Sequence, residues 1–350
     1  MKKRMRATLT TRVRPGAEPA HSGPWPLAEP FWIGGVEVAN RVVQAPLAGI
    51  ANAPFRRQSR RHGAGLAVSE MVSAHGLVHG NRRTRELIAI DDEPGPVAIQ
   101  IFGADPAVMA EAAAIVEDAG ADIIDVNMGC PVRKICKTGA GAALLSDPAA
   151  GAEAVAAMVG SVRVPVTVKM RRGVTPATAR PAEAARMMVD AGAAAITFHP
   201  RAAVEEYRGR ADHSVTALVA AAVDVPVIAS GDIADAAEAL RVVDETGCDA
   251  VAIGRAGLGD PWVFGAIASG AASERPSADE VVAEATAFAR QVAALVGPER
   301  ATGYMRRFYP WYLAGLPVGR AALGALQTAP SLDEALAMMA EVAAGAGALA

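Results

Sequence analysis

Short apolar runs alternate with longer amphipathic segments from residue 41 to about residue 264. The runs are short, contain β-branched residues and are bounded by Gly or Pro, as strands buried on both faces usually are. Eight are present, at residues 41–46, 66–70, 97–101, 122–127, 165–170, 194–199, 226–230 and 249–254. The segments between them, for example 106–119, 148–160 and 182–191, have helical spacing. The pattern therefore predicts alternating strands and helices.

Glycine stands between several of these helices and the strand that follows. The residues are Gly120, Gly192 and Gly247. Glycine can adopt the left-handed conformation that ends a helix, so each of the three predicts a helix boundary.

Eight strand–helix units predict the α/β class and, within it, a (β/α)8 TIM barrel with a C-terminal all-helical domain. A doubly wound sheet would need Gly-x-Gly-x-x-Gly after its first strand, and residues 45–49 (Ala-Pro-Leu-Ala-Gly) do not supply it. Residues 31–38 predict a hairpin that closes the barrel bottom. We therefore expect a disordered basic arm at 1–26, a catalytic barrel at 27–270 and helices at 271–350.

Composition and charge narrow the class of protein. Of 350 residues, 52% are hydrophobic and 20% are charged, which predicts a sizeable core. Polar residues and prolines interrupt the alanine-rich segments, so we predict no transmembrane helix. Three cysteines predict no disulfide framework, and a reducing cytoplasm fits best. The net charge of −3 means that any nucleic-acid contact must come from local basic patches. The N-terminal arm is one such basic segment, and contact with RNA is an alternative to its being disordered.

Polar side chains stand where the predicted strands end, which is where barrels place their catalytic groups. They are Gln100, Asn127, Lys169 and His199. Gln100 can bond to an amide-like edge such as that of flavin or uracil. Lys169 ends an apolar strand and needs an anion, either a reduced flavin or a carboxylate of Asp125 or Glu70. His199 fits a phosphate or flavin contact, with a structural histidine as the alternative.

Glycines follow the last two predicted strands, where barrels commonly bind phosphate through backbone N–H groups. The residues of these loops are Ser230, Gly231, Asp232, Gly254 and Arg255. Ordinary turns are the alternative, but two such loops with an arginine favour a phosphate site.

A cysteine stands in the loop after the fourth predicted strand. Cys130 would lie above the barrel mouth, where a thiol could act as an acid or a nucleophile. A loop cysteine can equally be inert. His75 and His79 could share a helix face, but no third ligand accompanies them, so we predict no metal site.

Eight motifs in order closely resemble the bacterial tRNA-dihydrouridine synthases, a family of FMN-dependent enzymes. They begin at Ala45, Ser69, Ile99, Asn127, Val168, His199, Ile228 and Ile253. The resemblance covers residues from about 31 to 320. Departures from the family pattern include Ser230 in place of Asn, Ala202 after Arg201, His213 in place of Trp, and the segment 307–310.

The resemblance implies a reduction of the C5–C6 double bond of uridine in tRNA. NADPH would reduce FMN, the flavin would deliver hydride to C6, and Cys130 would donate a proton to C5. It also implies that FMN contacts Pro46, Leu47, Ala48, Gln100, Lys169, His199, Ser230, Gly231, Asp232, Gly254 and Arg255. The substrate contacts it suggests are Asn127, Arg171, Arg201, Lys134, Arg306 and Arg307.

The target nucleotide would have to be extruded into the barrel mouth. The helical domain would hold the tRNA through Arg306 and Arg307. The neighbouring aromatic rings would either stack on RNA bases or pack the core of the helical domain. Two other functions compete with the synthase: an FMN barrel acting on a free pyrimidine, and a non-catalytic RNA-binding flavoprotein. We expect a cytoplasmic protein, with a monomer favoured.

Overall fold

The computed structural model describes residues 25–90, 93–271 and 276–347. Residues 1–24 of the predicted basic arm lie outside the described residues. The last two residues of that predicted arm, Trp25 and Pro26, are described. Trp25 Nε1 donates to the carbonyl of Ile267 at 2.7 Å, and Pro26 begins a 3-10 helix, Pro26–Ala28. Both residues therefore belong structurally to the barrel.

The described residues form eleven strands. They are β1 (Phe31–Ile33), β2 (Val36–Val38), β3 (Val42–Gln44), β4 (Leu66–Val68), β5 (Val72–Ser73), β6 (Val97–Phe102), β7 (Ile123–Met128), β8 (Val166–Arg171), β9 (Ile196–His199), β10 (Val227–Ser230) and β11 (Ala250–Ile253). Strands β1 and β2 form an antiparallel hairpin.

Eight parallel strands close on themselves and confirm the predicted barrel. Their order is β3, β4, β6, β7, β8, β9, β10, β11, and β11 pairs back to β3. The short strand β5 pairs with the outer end of β6. Each barrel strand lies within one of the eight predicted apolar runs or extends one residue beyond it. The fold class inferred from periodicity is therefore correct.

Helices follow the strands and continue beyond the barrel. They are α1 (Ala53–Arg61), α2 (Ala74–Val78), α3 (Arg82–Glu86), α4 (Pro106–Asp118), α5 (Arg133–Cys136), α6 (Pro148–Val159), α7 (Pro181–Asp190), α8 (Ser214–Ala220), α9 (Ala236–Thr246), α10 (Trp262–Ser269), α11 (Ala278–Val296), α12 (Pro298–Met305), α13 (Tyr309–Tyr312), α14 (Arg320–Thr328) and α15 (Leu332–Gly347). The glycine after α9, Gly247, is left-handed with φ +67°.

The hairpin closes the bottom of the barrel, as expected. Its buried Phe31, Ile33 and Val38 join a core made by the inward-facing side chains of the barrel strands. Gly34 turns the hairpin with φ +58°, and a Cβ there would lie 2.8 Å from Pro165 Cγ. A cavity of about 10 Å³ lies among these inward-facing side chains, which is too small for a ligand. The interior is filled, so ligand chemistry is confined to the opposite rim.

A second core fills the C-terminal helices and continues onto the barrel. Phe288 of α11 packs edge-on against Phe55 of α1, with ring centroids 6.4 Å apart. Gln58 Nε2 donates to Tyr312 Oη at 2.6 Å. Gly259, in the loop after β11, has φ +73° and lies against the backbone of Trp311 and Tyr312. The helical domain is therefore docked beside the rim where β3 and β11 end.

Replacing Gly259 with Ala should weaken this docking. A Cβ there would lie 2.3 Å from the Trp311 carbonyl carbon, and the positive φ adds strain. We expect a loss of at least about 2 kcal/mol in the free energy of unfolding, measured with urea. Gly303→Ala is the matched control, because a Cβ inside α12 meets nothing within 4 Å and should stabilise by up to about 1 kcal/mol. Equal stability of both variants would contradict the close approach.

Candidate active site

The polar strand-end residues predicted from the sequence come together at one rim. Parallel strands all end on the same side of a barrel, so side chains far apart in sequence meet there. Strand β7 pairs with both β6 and β8, which places Gln100 beside Asp125 and Asn127 beside Lys169. Arg171 and His199 are likewise register partners on β8 and β9. The predicted set is therefore contiguous.

A chain of buried amides connects three of these strands. Gln100 Nε2 donates to Asp125 Oδ2 at 2.6 Å, and Asn127 Nδ2 donates to Gln100 Oε1 at 2.8 Å. Thr167 Oγ1 donates to the other oxygen of Asp125 at 2.6 Å. Burial raises the pKa of Asp125 to about 6, although Gln100, Thr167 and Lys169 oppose the shift. The Asp125 carboxylate thus holds Gln100 directly, and it holds Asn127 through Gln100.

Cys130 lies directly after this chain. Asn127 Oδ1 accepts from the backbone N–H groups of Gly129 (3.1 Å) and Cys130 (2.9 Å), which fixes the loop that bears the thiol. Burial raises the pKa of Cys130, while Lys169 and Arg171 nearby act in the opposite direction. The thiol is partly exposed and remains protonated at neutral pH. Its chemical state suits a proton donor better than a nucleophile.

Lys169 forms no salt bridge within the described part of the chain, so the predicted alternative of a direct pair with Asp125 or Glu70 is absent there. Desolvation and the neighbouring Arg171 lower its pKa to about 8, while Asp125 acts in the opposite direction. A cation held among protein atoms without a close counter-ion favours an anionic ligand at the rim.

Arg201 points inward and holds the loop after β10. Its side chain is 2% exposed and donates to both oxygens of Asp232, at 2.5 and 3.1 Å. It also donates to the carbonyls of Arg208 and Gly209. The family resemblance suggested that Arg201 contacts RNA phosphates, but its hydrogen-bonding groups face protein atoms. Its position is that of a loop support.

His199 is buried among cations. Burial, followed by Lys169, Arg171 and Arg201, lowers its pKa to about 2, so the imidazole is neutral. Its Nε2 lies 3.4 Å from Arg201 Nη1. A neutral ring can accept from Arg201 or from a ligand, depending on the tautomer.

Tyr207 is a site residue that none of the sequence motifs indicated. The side chain is 58% exposed in the loop after β9. The guanidinium carbons of Arg255 and Arg171 lie 5.0 and 5.5 Å from its ring centroid. Arg171 itself is buried and donates to the carbonyls of Ala202 and Glu206. The signal for Tyr207 in the sequence is an aromatic residue between charged neighbours, Glu206 and Arg208, in a rim loop.

Strain is concentrated in the same two rim loops. Glu206 (φ 51°) and Asp232 (φ 53°) are the non-glycine residues with positive φ in the described chain. Both are held by buried arginines, Glu206 by Arg171 and Asp232 by Arg201. Such conformations persist where surrounding contacts determine them, and they are common at functional sites.

The two glycine loops predicted to bind phosphate lie side by side. Gly231 has φ +116°, and a Cβ there would lie 2.8 Å from the His199 ring. A Cβ on Gly254 would meet nothing closer than Leu47 Cδ2 at 3.6 Å. Arg255 donates to Asp232 Oδ1 at 3.1 Å while its side chain stays 58% exposed. The loops therefore offer accessible backbone and one oriented guanidinium.

His213, which departs from the family pattern, supports the first of these loops. Its Nε2 lies 2.9 Å from the Gly231 carbonyl oxygen and its Nδ1 lies 3.1 Å from Thr216 Oγ1. A buried histidine can thus hold this loop in place of the usual tryptophan. No comparable contact explains Ser230 in place of asparagine.

The loop after β3 connects the barrel rim to the helical domain. It carries Pro46 and Leu47, both partly buried, and Ala48, which is exposed. Further along this loop, the Gly49 N–H donates to Glu70 Oε2 at 2.9 Å, and Arg307 Nη1 donates to the Gly49 carbonyl at 3.4 Å.

Aromatic rings of the helical domain divide between its core and the barrel interface. Phe308, Tyr309 and Tyr312 are at most 2% exposed and pack the core, so they offer no ring for stacking. Tyr304 is partly buried, donates to the Ile50 carbonyl at 3.2 Å and lies beneath the Arg307 guanidinium. Arg306 and Arg307 are exposed, as is Lys134 of the short helix α5.

Membrane spans and metal clusters are both missing from the described residues. None of their helices is long and apolar enough to cross a membrane. No group of three or more His, Cys, Asp or Glu among them could hold a metal ion.

The fold and this rim define a (β/α)8 barrel with a polar, cation-bearing site at its strand ends, and comparison with known proteins gives the family. The model of the dihydrouridine synthase family matches residues 43–344, so the chain belongs to that family. The chain is 39% identical over 295 residues to tRNA-dihydrouridine synthase B of Pseudomonas aeruginosa, covering 82% of this chain and 88% of that protein. The protein of the same name from Escherichia coli (strain K12) is 39% identical over 285 residues, which is 80% of this chain and 89% of that protein.

Solved structures share the fold at low sequence identity. A 2-naphthoyl-CoA reductase complex aligns with a TM-score of 0.57 and 14% identity, over 70% of this chain and 52% of that one. A variant of NCR from Zymomonas mobilis aligns with a TM-score of 0.53 and 18% identity, over 73% of this chain and 94% of that one. These likenesses support the barrel alone.

Removing the inward arginine should destabilise the protein more than removing the outward one. Arg201→Met leaves Asp232 without its buried partner and frees two loop carbonyls, so we expect a loss of about 2–3 kcal/mol on urea unfolding. Arg255→Met removes the exposed partner of the same carboxylate and should cost less than about 1 kcal/mol. Similar losses would contradict the different burial of the two pairs.

Proposed function

We propose that this protein reduces uridine to dihydrouridine in tRNA, with FMN as the bound cofactor and NADPH as the reductant. The observation that carries the proposal is the placement of Cys130 at the mouth of the barrel, where Asn127 Oδ1 accepts from its backbone N–H at 2.9 Å and the adjacent strand carries Lys169. Family membership supports the same chemistry.

The residues at the rim fit a flavin phosphate on one side. Backbone N–H groups at Gly231 and Gly254 and the guanidinium of Arg255 would hold the phosphate, since phosphates bind at such loops. Ser230 adds a hydroxyl. Asp232 already accepts from Arg201 and Arg255, so its role would be to orient Arg255.

On the other side, the rim fits the polar edge of the flavin ring. Gln100 and Lys169 present N–H donors there, and the Lys169 ammonium would stabilise negative charge. Pro46, Leu47 and Ala48 would cover one side of the ring, and neutral His199 would lie near the phosphate end. When bound, the flavin would supply the hydride for the reduction.

The proton would come from Cys130. Hydride addition to uracil C6 places negative charge on the C5 side of the ring, and a nearby thiol can neutralise it by donating its proton. The raised pKa of Cys130 keeps that proton in place before the reaction. Asn127 fixes the loop through the Cys130 N–H, so the thiol is positioned from inside the barrel.

The exposed rim supports binding of an extruded nucleotide. Tyr207 offers a flat ring between two guanidinium groups, which suits a base or ribose next to a phosphate. Arg171 holds the loop that presents this ring. Lys134 and the exposed Arg306 and Arg307 lie on loops and helix ends that could contact RNA phosphates.

The test is to purify the protein, record its visible spectrum and incubate it with NADPH and tRNA that lacks dihydrouridine. We expect a yellow protein, and uridines heavier by two hydrogens on mass spectrometry, mapped by position after digestion. A yellow protein that oxidises NADPH but leaves several tRNA species unchanged would refute the proposal and favour a free pyrimidine as substrate.

Replacing Cys130 with Ala should separate the two halves of the reaction. Flavin reduction by NADPH should stay within about threefold of wild type, because hydride transfer to the flavin needs no thiol. Dihydrouridine formation should fall by at least about 100-fold, since a positioned proton donor contributes on the order of 10²–10⁴ in rate. Cys136→Ala is the control and should retain both activities. Equal loss of both activities in Cys130→Ala would contradict the assigned role.

Replacing Arg306 and Arg307 together with Ala should weaken tRNA binding without loss of flavin. For every RNA phosphate that the two arginines neutralise, the slope of log K against log salt should become shallower by about 0.9. Filter binding between low and moderate salt measures this, and the visible spectrum reports bound flavin. Arg290→Ala, an exposed arginine on α11, is the control. Unchanged affinity in the double variant would place the RNA surface elsewhere.

A further inference from the structure

The polarity of the amide chain beneath the site is fixed at both ends. At the upper end, Asn127 Oδ1 faces two backbone N–H groups, which can only donate. Its Nδ2 must therefore face Gln100, and Gln100 must turn its oxygen toward it. At the lower end, Gln100 Nε2 faces the Asp125 carboxylate, which accepts when ionised. The two ends require the same orientation of both amides.

We propose that Asp125 is a positioning residue: as a buried acceptor beneath Gln100, it sets the orientation of the Gln100 and Asn127 amides and, through Asn127, the position of the Cys130 loop. The proposal rests on the proposed function for its catalytic consequence. Asp125 itself is 4% exposed and lies one layer below the rim. It acts through the chain and not by touching the substrate.

The orientation determines what the rim can bind. An amide nitrogen carries two hydrogens, and Gln100 uses one of them on Asp125. Asn127 uses one on Gln100, while its nitrogen also lies 3.7 Å from Met71 Sδ, a weak acceptor that a ligand oxygen could replace. Each amide thus keeps one N–H beyond its bond in the chain. A ligand edge rich in carbonyl oxygen or unprotonated nitrogen matches such donors.

Turning the Gln100 and Asn127 amides by 180° would break hydrogen bonds along the chain. If nothing accepted from Gln100 Nε2, the Gln100 amide could turn and present its nitrogen to Asn127 Nδ2. Asn127 would then either lose that bond or turn its own nitrogen toward the N–H groups of Gly129 and Cys130. Buried donors facing donors are unsatisfied and costly. In the second case, the Cys130 loop would lose the hydrogen bonds from the Gly129 and Cys130 N–H groups to Asn127 Oδ1.

The contact with Thr167 allows the charge of Asp125 and its role as hydrogen-bond acceptor to be tested separately. Its hydroxyl donates to Asp125 Oδ1 at 2.6 Å and can rotate to accept instead. An asparagine at 125 could therefore keep its oxygen toward Gln100 and turn its NH₂ toward Thr167. A leucine there has nearly the same shape and no acceptor. Asp125→Asn should preserve the amide order, whereas Asp125→Leu should abolish it.

The experiment compares Asp125→Leu, Asp125→Asn and Thr167→Val, with each flavin-loaded enzyme reduced by NADPH and then mixed with tRNA lacking dihydrouridine. The single-turnover rate of dihydrouridine formation should fall roughly 10- to 100-fold in Asp125→Leu. In the other two variants it should stay within about threefold of wild type. The dissociation constant for tRNA should change by less than about twofold in all three, since Asp125 lies beneath the surface.

A second measurement reports the Cys130 loop without catalysis. In a Cys136→Ala background, the rate at which iodoacetamide alkylates Cys130 should change by at least about threefold in Asp125→Leu and not in Asp125→Asn. The remaining Cys248 is 2% exposed and serves as an internal reference. If Asp125→Leu does not fold by circular dichroism, Asp125→Ala replaces it in both measurements.

The outcomes separate this inference from the proposed function. Asp125→Leu with wild-type turnover and alkylation would overturn the positioning role. Loss of turnover in Asp125→Asn equal to that in Asp125→Leu would show that the charge beside Lys169 matters and not the amide order, which would also overturn it. A wild-type enzyme that leaves tRNA unchanged would refute the proposed function, while the alkylation rates would still test the positioning role.

Discussion

The site depends on the desolvation of charge at the top of the barrel. Asp125 and Lys169 lie on neighbouring strands. Burial raises the pKa of Asp125 and lowers the pKa of Lys169, so in both cases it favours the neutral form. They form no direct salt bridge in the described chain. Instead, the Gln100 amide and the Thr167 hydroxyl satisfy the carboxylate, and the ammonium is left beside the open mouth. Because a buried charge requires a partner, this arrangement creates a demand for an anionic ligand.

Other buried side chains hold the rim loops in place around Lys169. Asn127 Oδ1 accepts hydrogen bonds from the loop of Cys130, so this loop is tied to the end of β7. Arg171 at the end of β8 and Arg201 after β9 are buried, and they hold the two residues with positive φ, Glu206 and Asp232. Burial, reinforced by the charges of Lys169, Arg171 and Arg201, lowers the pKa of His199 and keeps its ring neutral. Buried arginines thus serve as supports, while exposed Arg255 and Tyr207 remain accessible to a ligand.

One of the contacts between the helical domain and the rim is the loop after β3. The loop after β3 bonds to Glu70 of the barrel and to Arg307 and Tyr304 of the helical domain. Any RNA phosphate that engaged Arg307 would compete with its contact to Gly49. A residue proposed to bind RNA and a loop proposed to cover the flavin are therefore in direct contact, which links the two functions physically.

Periodicity along the chain was enough to define the barrel and the membership of its rim. Buried parallel strands must be apolar, so a polar residue at the end of such a run identifies the open edge, as Gln100, Asn127 and Lys169 do. The direction in which the loop side chains face could be read only from the tertiary structure. Arg201 turned inward, Phe308 and Tyr312 packed the helical core, and Tyr207 emerged between two guanidinium groups. Strand periodicity is a local property, whereas the direction of a loop or helix-end side chain depends on contacts with residues distant in sequence.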